Sequence, residues 1–385
     1  FKLKGRVDLS EMQLLSLLNL IPNVEELHLE RIRIAPSTDD SKEELKLWKL
    51  RKLQLLRCYE SLFFLVLIPK DVLTEFVFEF SSLPDRTELQ HFLDRQSNIK
   101  KLEICFHNDM NINLNHLKLE HLNVQCNIFH NLASVIRSQP ELRYLDCRSE
   151  YFNDPDVFRA ACELKRIETL KISIALPCEF NSLRKLTTLK ELQLGFYGLE
   201  DNNFIEQLSM MKSLSQMAKL TLMSYKEKLT EEIVIRMSES FRSLSCIQLV
   251  CSTIKDVGTI LEHMPHLTSI TWGGDNCNDN LEISEDYLNE KLTELSIKTF
   301  HTNRGNTEAL LKVVNACPNL ERIILSKLND VTLEEIMKIV DNHINIRYLD
   351  LEFEDCRRFT FDARKTSRAM LDYSTLDQLL SSSCE

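Results

Sequence analysis

The sequence predicts an α/β solenoid, a curved horseshoe with one parallel concave sheet and helices and turns on the convex side. Three observations carry this. A six-residue phrase, L-x-x-L-x-L, recurs fourteen times between Val24 and Ile346. Its starts fall 20 to 28 residues apart, and a period in that range marks stacked repeats rather than a globular enzyme core. Its fourth and sixth positions alternate with polar neighbours, the period-two signature of a strand. Such a short strand cannot bury its apolar face alone. Stacking it on its neighbour completes a parallel ladder and merges the apolar faces into one core.

The copies begin at Val24, Leu50, Leu73, Ile99, Leu119, Leu142, Ile167, Leu189, Met217, Leu244, Leu267, Leu292, Leu320 and Ile346. One copy places Cys147 in the sixth slot, where free cysteine serves as a small hydrophobe. Many copies are preceded by Pro or Asn, as in Pro22-Asn23, Pro265-His266 and Pro318-Asn319. Proline ends the preceding helix, and its fixed φ favours extended backbone.

Convex elements follow in order. Residues 8–20 read as a helix, with Ser10 and Gln13 in a capping-box pattern. It is the first element expected, with the cap of the stack lying upstream. Residues 85–96, 129–138, 201–212, 230–241, 255–263 and 306–316 read as helices. Asp154-Pro155 opens another over 155–164, and Thr332 with Glu335 starts one that runs to about Val340. Segments 105–118 and 173–188 are too short, or too broken by Leu176-Pro177, for more than a turn. Leu62–Ile68 is dense in Phe and Leu and reads as a buried convex segment or an additional strand. Repeats fill 1–354. Residues 355–385 break the phase with Arg357, Arg358, Arg364, Lys365 and Arg368, then a Ser-rich end, and read as a C-terminal cap and tail.

Gly is scarce at seven and Pro modest at nine, so no stretch has the composition of a linker and one continuous repeat domain is expected. The formal net charge of −11 excludes nucleic acid as the main partner, since phosphate binding needs a basic face. The twelve cysteines form no C-x-x-C pair, and no N-x-S/T site occurs. Both point to a reducing interior, cytoplasmic or nuclear. The longest apolar run, Leu62–Ile68, falls far short of the roughly 20 residues a membrane span needs, so no membrane partner is expected.

These repeats resemble those of leucine-rich-repeat proteins over roughly residues 8 to 354. Within that class they are most similar to the repeat half of F-box proteins, the substrate receptors of cullin–RING ubiquitin ligases. Ala316-Cys317-Pro318-Asn319-Leu320-Glu321-Arg322-Ile323 carries the C-P-N-L phrase typical of that group. Met264-Pro265-His266-Leu267, Gln139-Pro140-Glu141-Leu142-Arg143-Tyr144-Leu145 and Leu53-Gln54-Leu55-Leu56-Arg57-Cys58 carry the rest of the likeness. The resemblance implies a substrate-binding solenoid. It also implies an adaptor-binding F-box, a leading L-P-x-E-x-L segment, placed before Phe1. The ninth position, counted from each phrase start, holds Cys58 and Asn127 but elsewhere Ile32, His107, Tyr197, Tyr225, Asp275 and Phe300.

No catalytic, cofactor or metal site is expected. Phosphate-loop, dinucleotide, H-E-x-x-H and G-x-S-x-G motifs are absent from the sequence. Gly273–Asn280 lacks the mid-loop Gly and closing Glu of a calcium loop and reads as a polar turn. His107, His116, His121 and His130 fall on different turns of the solenoid and read as structural or solvated rather than zinc-binding.

Function therefore falls to the inner surface, where positions three, five and seven of each copy project. Most are polar, as a solvated sheet face should be. The residues expected to contact a partner are Tyr144, Asp146, Arg148, Lys171, Gln193, Met223, Cys246, Gln248, Glu294, Arg322, Tyr348 and Asp350. Tyr144 with Arg148, and Arg322 with Tyr348, are anchor types at interfaces. Met223, Cys246, Val250 and Ile324 would expose apolar surface with no structural gain. The expected function is recognition of a substrate protein on the concave face by a monomeric F-box-type receptor. The cullin adaptor would be reached only through an upstream F-box. The alternative is a stand-alone repeat scaffold or adaptor. A Ran-regulator-type GTPase activator fits less well, since those repeats keep a regular ninth-position Asn.

Overall fold

The computed structural model describes residues 1–35, 45–60, 63–80, 86–106, 111–126, 129–148, 154–174, 179–196, 204–223, 229–250, 254–274, 281–299, 304–328, 331–343, 345–353 and 358–363. Two compact units emerge, Phe1–Leu189 and Lys190–Glu385. Each is a mixed α/β stack of strand-and-helix repeats built on a mostly parallel ladder.

In the first unit the strands are β1 (Lys2–Ser10), β2 (Glu26–Ala35), β3 (Lys52–Leu56), the two-residue β4 (Tyr59–Glu60), β5 (Glu75–Phe80), β6 (Lys101–Phe106), β7 (His121–Gln125), β8 (Tyr144–Cys147) and β9 (Thr169–Ile174). From β2 onward the main strands sit on the phrase, in register. Leu27, Leu53, Phe76, Leu102, Leu122, Leu145 and Leu170 pair in sequence along one inward row, and all are fully buried. At about 25 cal/mol per Å² of apolar surface removed from water, such rows are the main source of stability.

The second unit repeats the pattern with β10 (Glu191–Phe196), β11 (Lys219–Met223), β12 (Cys246–Val250), β13 (Ser269–Gly274), β14 (Glu294–Thr299), β15 (Arg322–Leu328) and β16 (Tyr348–Phe353). Its sixth-position row is Leu194, Leu222, Leu249, Trp272, Ile297, Leu325 and Leu351. A last strand, β17 (Arg358–Asp362), pairs with β16 antiparallel and buries Phe359 and Phe361. It covers the exposed edge that a terminal repeat otherwise leaves open.

Within each unit, successive repeats are also joined at the strand starts. The carbonyl at the second phrase position accepts two backbone N–H groups from the following repeat. Glu25 takes Arg51 and Lys52, and Glu120 takes Arg143 and Tyr144; in the second unit Thr293 takes Glu321 and Arg322. Buried side chains three residues before a phrase add a second tie. Gln96 accepts from the N–H groups of Val72 and Leu73 and donates to the Pro69 carbonyl at 2.8 Å. Gln139 accepts from Leu119 at 2.8 Å and donates to Leu114. In the second unit His343 lies between the carbonyls of Ile339 and Val314, at 2.7 and 2.8 Å. Each tie satisfies backbone groups that burial would otherwise strand.

The helices are α1 (Glu11–Asn19), α2 (Arg86–Asp94), α3 (Leu132–Arg137), α4 (Pro155–Cys162), α5 (Phe204–Ser209), α6 (Glu231–Ser240), α7 (Ile254–His263), α8 (Arg304–Asn315) and α9 (Leu333–Asn342). Ser10 with Gln13 and Thr332 with Glu335 form full capping boxes, and the Asp154 side chain accepts from the Asp156 N–H. Gly258, inside α7, lets the helix approach the chain closely: a Cβ there would stand 2.3 Å from the Glu282 carbonyl oxygen.

Three expectations are corrected. The first element is a strand, not a helix: β1 pairs in parallel with β2, and its repeated polar residues hid it. The expected helix over 201–212 is α5 followed by a short 3₁₀ turn at Lys212–Leu214. Ile324 exposes no apolar patch, being only 9% exposed. The Phe-rich segment resolves into β4 and a 3₁₀ turn at Phe63–Leu67, with Phe64 and Leu65 buried. His107 and residues 275–280 lie outside the described residues.

Candidate interaction face

Positions three, five and seven project from the side of each strand opposite the buried rows, as the alternating burial of β3, β6, β7 and β12 records. In the first unit the third-position row reads Glu26, Lys52, Glu75, Lys101, His121, Tyr144, Thr169. Charges alternate along it, then give way to aromatics. The rings of His121 and Tyr144 stack in parallel, 3.9 Å between centroids and 4° between planes. Lys171 places its ammonium 5.3 Å from the Tyr144 centroid, a cation–π contact. Burial, then Lys101, holds the His121 imidazole below its ordinary range, although Glu103, Asp146 and Glu75 act in the other direction. At neutral pH the stack therefore presents a neutral ring.

Asp146 is only 1% exposed. It receives the Arg148 guanidinium through two bonds of 2.8 Å and the Tyr144 hydroxyl at 3.4 Å. Its carboxylate thereby orients the Arg148 and Tyr144 side chains. Leu145 and Cys147 beside it point into the core, so the sheet alternation turns all three polar groups outward.

The second unit repeats this geometry with the same four residues, R-Y-L-D, at 347–350. The Tyr348 hydroxyl bonds Asp350 at 3.3 Å. Arg358, arriving on β17, donates to both Asp350 oxygens at 2.7 and 2.5 Å, and Thr360 adds a third donor. Burial raises the Asp350 pKa, but Arg358, Thr360 and Tyr348 together outweigh it and hold the carboxyl below its ordinary range. Arg322 lies 4.5 Å from the centre of the Tyr348 ring and next to Glu294 in register. Gln193 is 9% exposed and donates to the Met223 sulfur. Cys246 and Gln248 are half-buried on β12, and burial pushes the Cys246 thiol up, away from reactivity.

A depression of about 410 Å³ lies on the first unit's face. Leu56, Val77 and Cys105 give it an apolar floor, and Gln54, Glu79, Glu103, Asn123 and Gln125 a polar border. None of these residues stands out from sequence, because Leu56, Val77 and Cys105 are far apart in it. The available signal was that β3, β5 and β6 are consecutive on the ladder and each carries an apolar residue on the outward face. Burial, then Glu79, raises the Cys105 thiol, which disfavours its thiolate form. Among the described residues no group of three His, Cys, Asp or Glu side chains could hold a metal ion. No helix among them is long and apolar enough to cross a membrane.

No protein-family model and no curated protein matches this sequence. Among solved structures, the chain is similar to a leucine-rich-repeat protein of Leptospira interrogans. The two are 13% identical over 87% of this chain and 91% of that one, with a TM-score of 0.33.

Proposed function

We propose that this chain is a protein-interaction module, the substrate-recognition region of an F-box-type receptor of a cullin–RING ubiquitin ligase. The observation that carries the interaction reading is the twice-built Tyr–Asp–Arg group on the outward sheet face. An aromatic ring and a guanidinium are oriented there by a buried carboxylate and left accessible. Such rigid aromatic and arginine anchors in a polar surround suit another polypeptide. The polar field bordering the Leu56–Val77–Cys105 floor suits the same kind of ligand. The C-P-N-L phrase supports the ligase assignment.

Co-purification of the full-length gene product tests both levels. The ligase reading expects the cullin adaptor in stoichiometric amount, through a segment preceding Phe1. Partners recovered through the sheet face with the adaptor consistently absent would replace it with a stand-alone scaffold.

A further inference from the structure

We infer that the first unit carries a second recognition site, an arginine cluster that takes a phosphorylated segment of a protein partner. Arg6, Arg31, Arg33 and Arg57, with Asp8, line a cavity of about 470 Å³. Four guanidinium groups against two carboxylates, Asp8 and the Glu79 that pairs with Arg57, leave a net +2 there, on a chain whose formal charge is −11. Arg6, Arg31 and Arg33 are exposed on β1 and β2, and Arg57 is exposed just after β3.

One backbone device gathers them. Arg31 and Arg57 occupy the eighth position of consecutive repeats, both left-handed at φ 59 and φ 54. On β1 the same irregularity falls at Gly5, φ 140, where the register with β2 shifts between Lys4 and Val7. At each site the residue that follows the irregularity by one or two places turns inward. Ile32 and Cys58 are buried, and Val7 pairs with Ile32. Arginines on three neighbouring strands, about 4.8 Å apart, therefore converge on one spot. β2 continues past Arg31 and adds Arg33, which is in register with Asp8. Glu79 holds the Arg57 guanidinium at 2.8 Å.

Arginine's planar fork matches the oxygens of a phosphoryl group, and several forks around one phosphate give strong charge-assisted bonds. The surroundings select a compact dianion over a polymer. Glu30, Glu75, Glu79 and Glu103 stand on the adjacent sheet face, where an extended polyphosphate chain would meet like charge. A phosphoserine in a peptide brings one such dianion. The inference deepens the interaction reading and rests on it, but its residues are separate from the tyrosine-centred anchors.

The test uses the full 385-residue chain and two degenerate peptide libraries, one with a fixed central phosphoserine and one with serine, at about 0.15 M salt. The phosphoserine library is expected to be retained at least about tenfold better and to be displaced by inorganic phosphate. Arg31→Asn with Arg33→Gln is expected to remove that difference, asparagine being tolerated at positive φ. Arg6→Gln, at a residue without positive φ, should weaken retention severalfold and serves if the double variant does not fold. Equal retention of the two libraries, retention that survives these substitutions, or equal retention of a single-stranded DNA 20-mer or phosphatidylserine vesicles overturns the inference. Loss of partner capture in a Tyr144→Ala chain would still uphold the sheet-face reading in each of those cases.

Discussion

The Arg148 guanidinium closes on the Asp146 carboxylate through two 2.8 Å bonds, one strand turn from a tyrosine that bonds the same carboxylate. Asp146 is buried, and Arg148 is about a third exposed. The buried member thus fixes the geometry of the accessible one. Asp146→Asn should preserve the fold and loosen Arg148. A double-mutant cycle with Arg148→Ala is expected to give a coupling of about 1 kcal/mol in denaturant melts. Additive effects would show that the pair is not formed in solution.

The glutamine ties make a second prediction. Gln139→Ala removes the partner of the Leu119 N–H and the Leu114 carbonyl, both inside the first unit. A loss of about 1–3 kcal/mol is expected, seen as a lower urea midpoint at unchanged slope. Gln139→Glu should not rescue it, because a carboxylate accepts but cannot donate.

Gly258 makes a third. No Cβ fits 2.3 Å from the Glu282 carbonyl, so alanine must push α7 away from the chain at 281–282. Although alanine is the better helix former, Gly258→Ala should destabilise by about 1–3 kcal/mol. An increase in melting temperature would mean that the contact is loose.

The Asp350 group sets a pH dependence. Its folded pKa is depressed, so the unfolded chain binds the proton more tightly. The stability it contributes is present above the ordinary aspartate range, near pH 4, and is lost as pH falls through the lowered folded value. Asp350→Asn should therefore lower the melting temperature at pH 7 and make little difference near pH 2. The same penalty at both pH values would assign the loss to packing rather than charge.

Much of this fold is legible in sequence because the repeat has both a period and a phase. Leu53, Phe76 and Leu102 fall on one row because each is the fourth residue of its phrase. Ser10 and Thr332 announce their helices through capping residues three places apart. β1 escaped because Lys2, Lys4, Arg6 and Asp8 alternate with Leu3, Gly5 and Val7, too weak an apolar face to register as a repeat. Tyr144, Arg148 and Tyr348 were legible by residue type, whereas the side-chain bonds they make were not. Arg358 reaches Asp350 only because β17 turns back antiparallel, and Arg6, Arg31 and Arg57 meet only through the ladder.

Partner capture by the full-length protein, wild type against a Tyr144→Ala/Tyr348→Ala chain of unchanged circular dichroism, tests the interaction face most directly. The prediction is that the aromatic substitutions release bound substrate proteins at least about tenfold while leaving the cullin adaptor in place. An identical set of substrate proteins retained by both chains would contradict it.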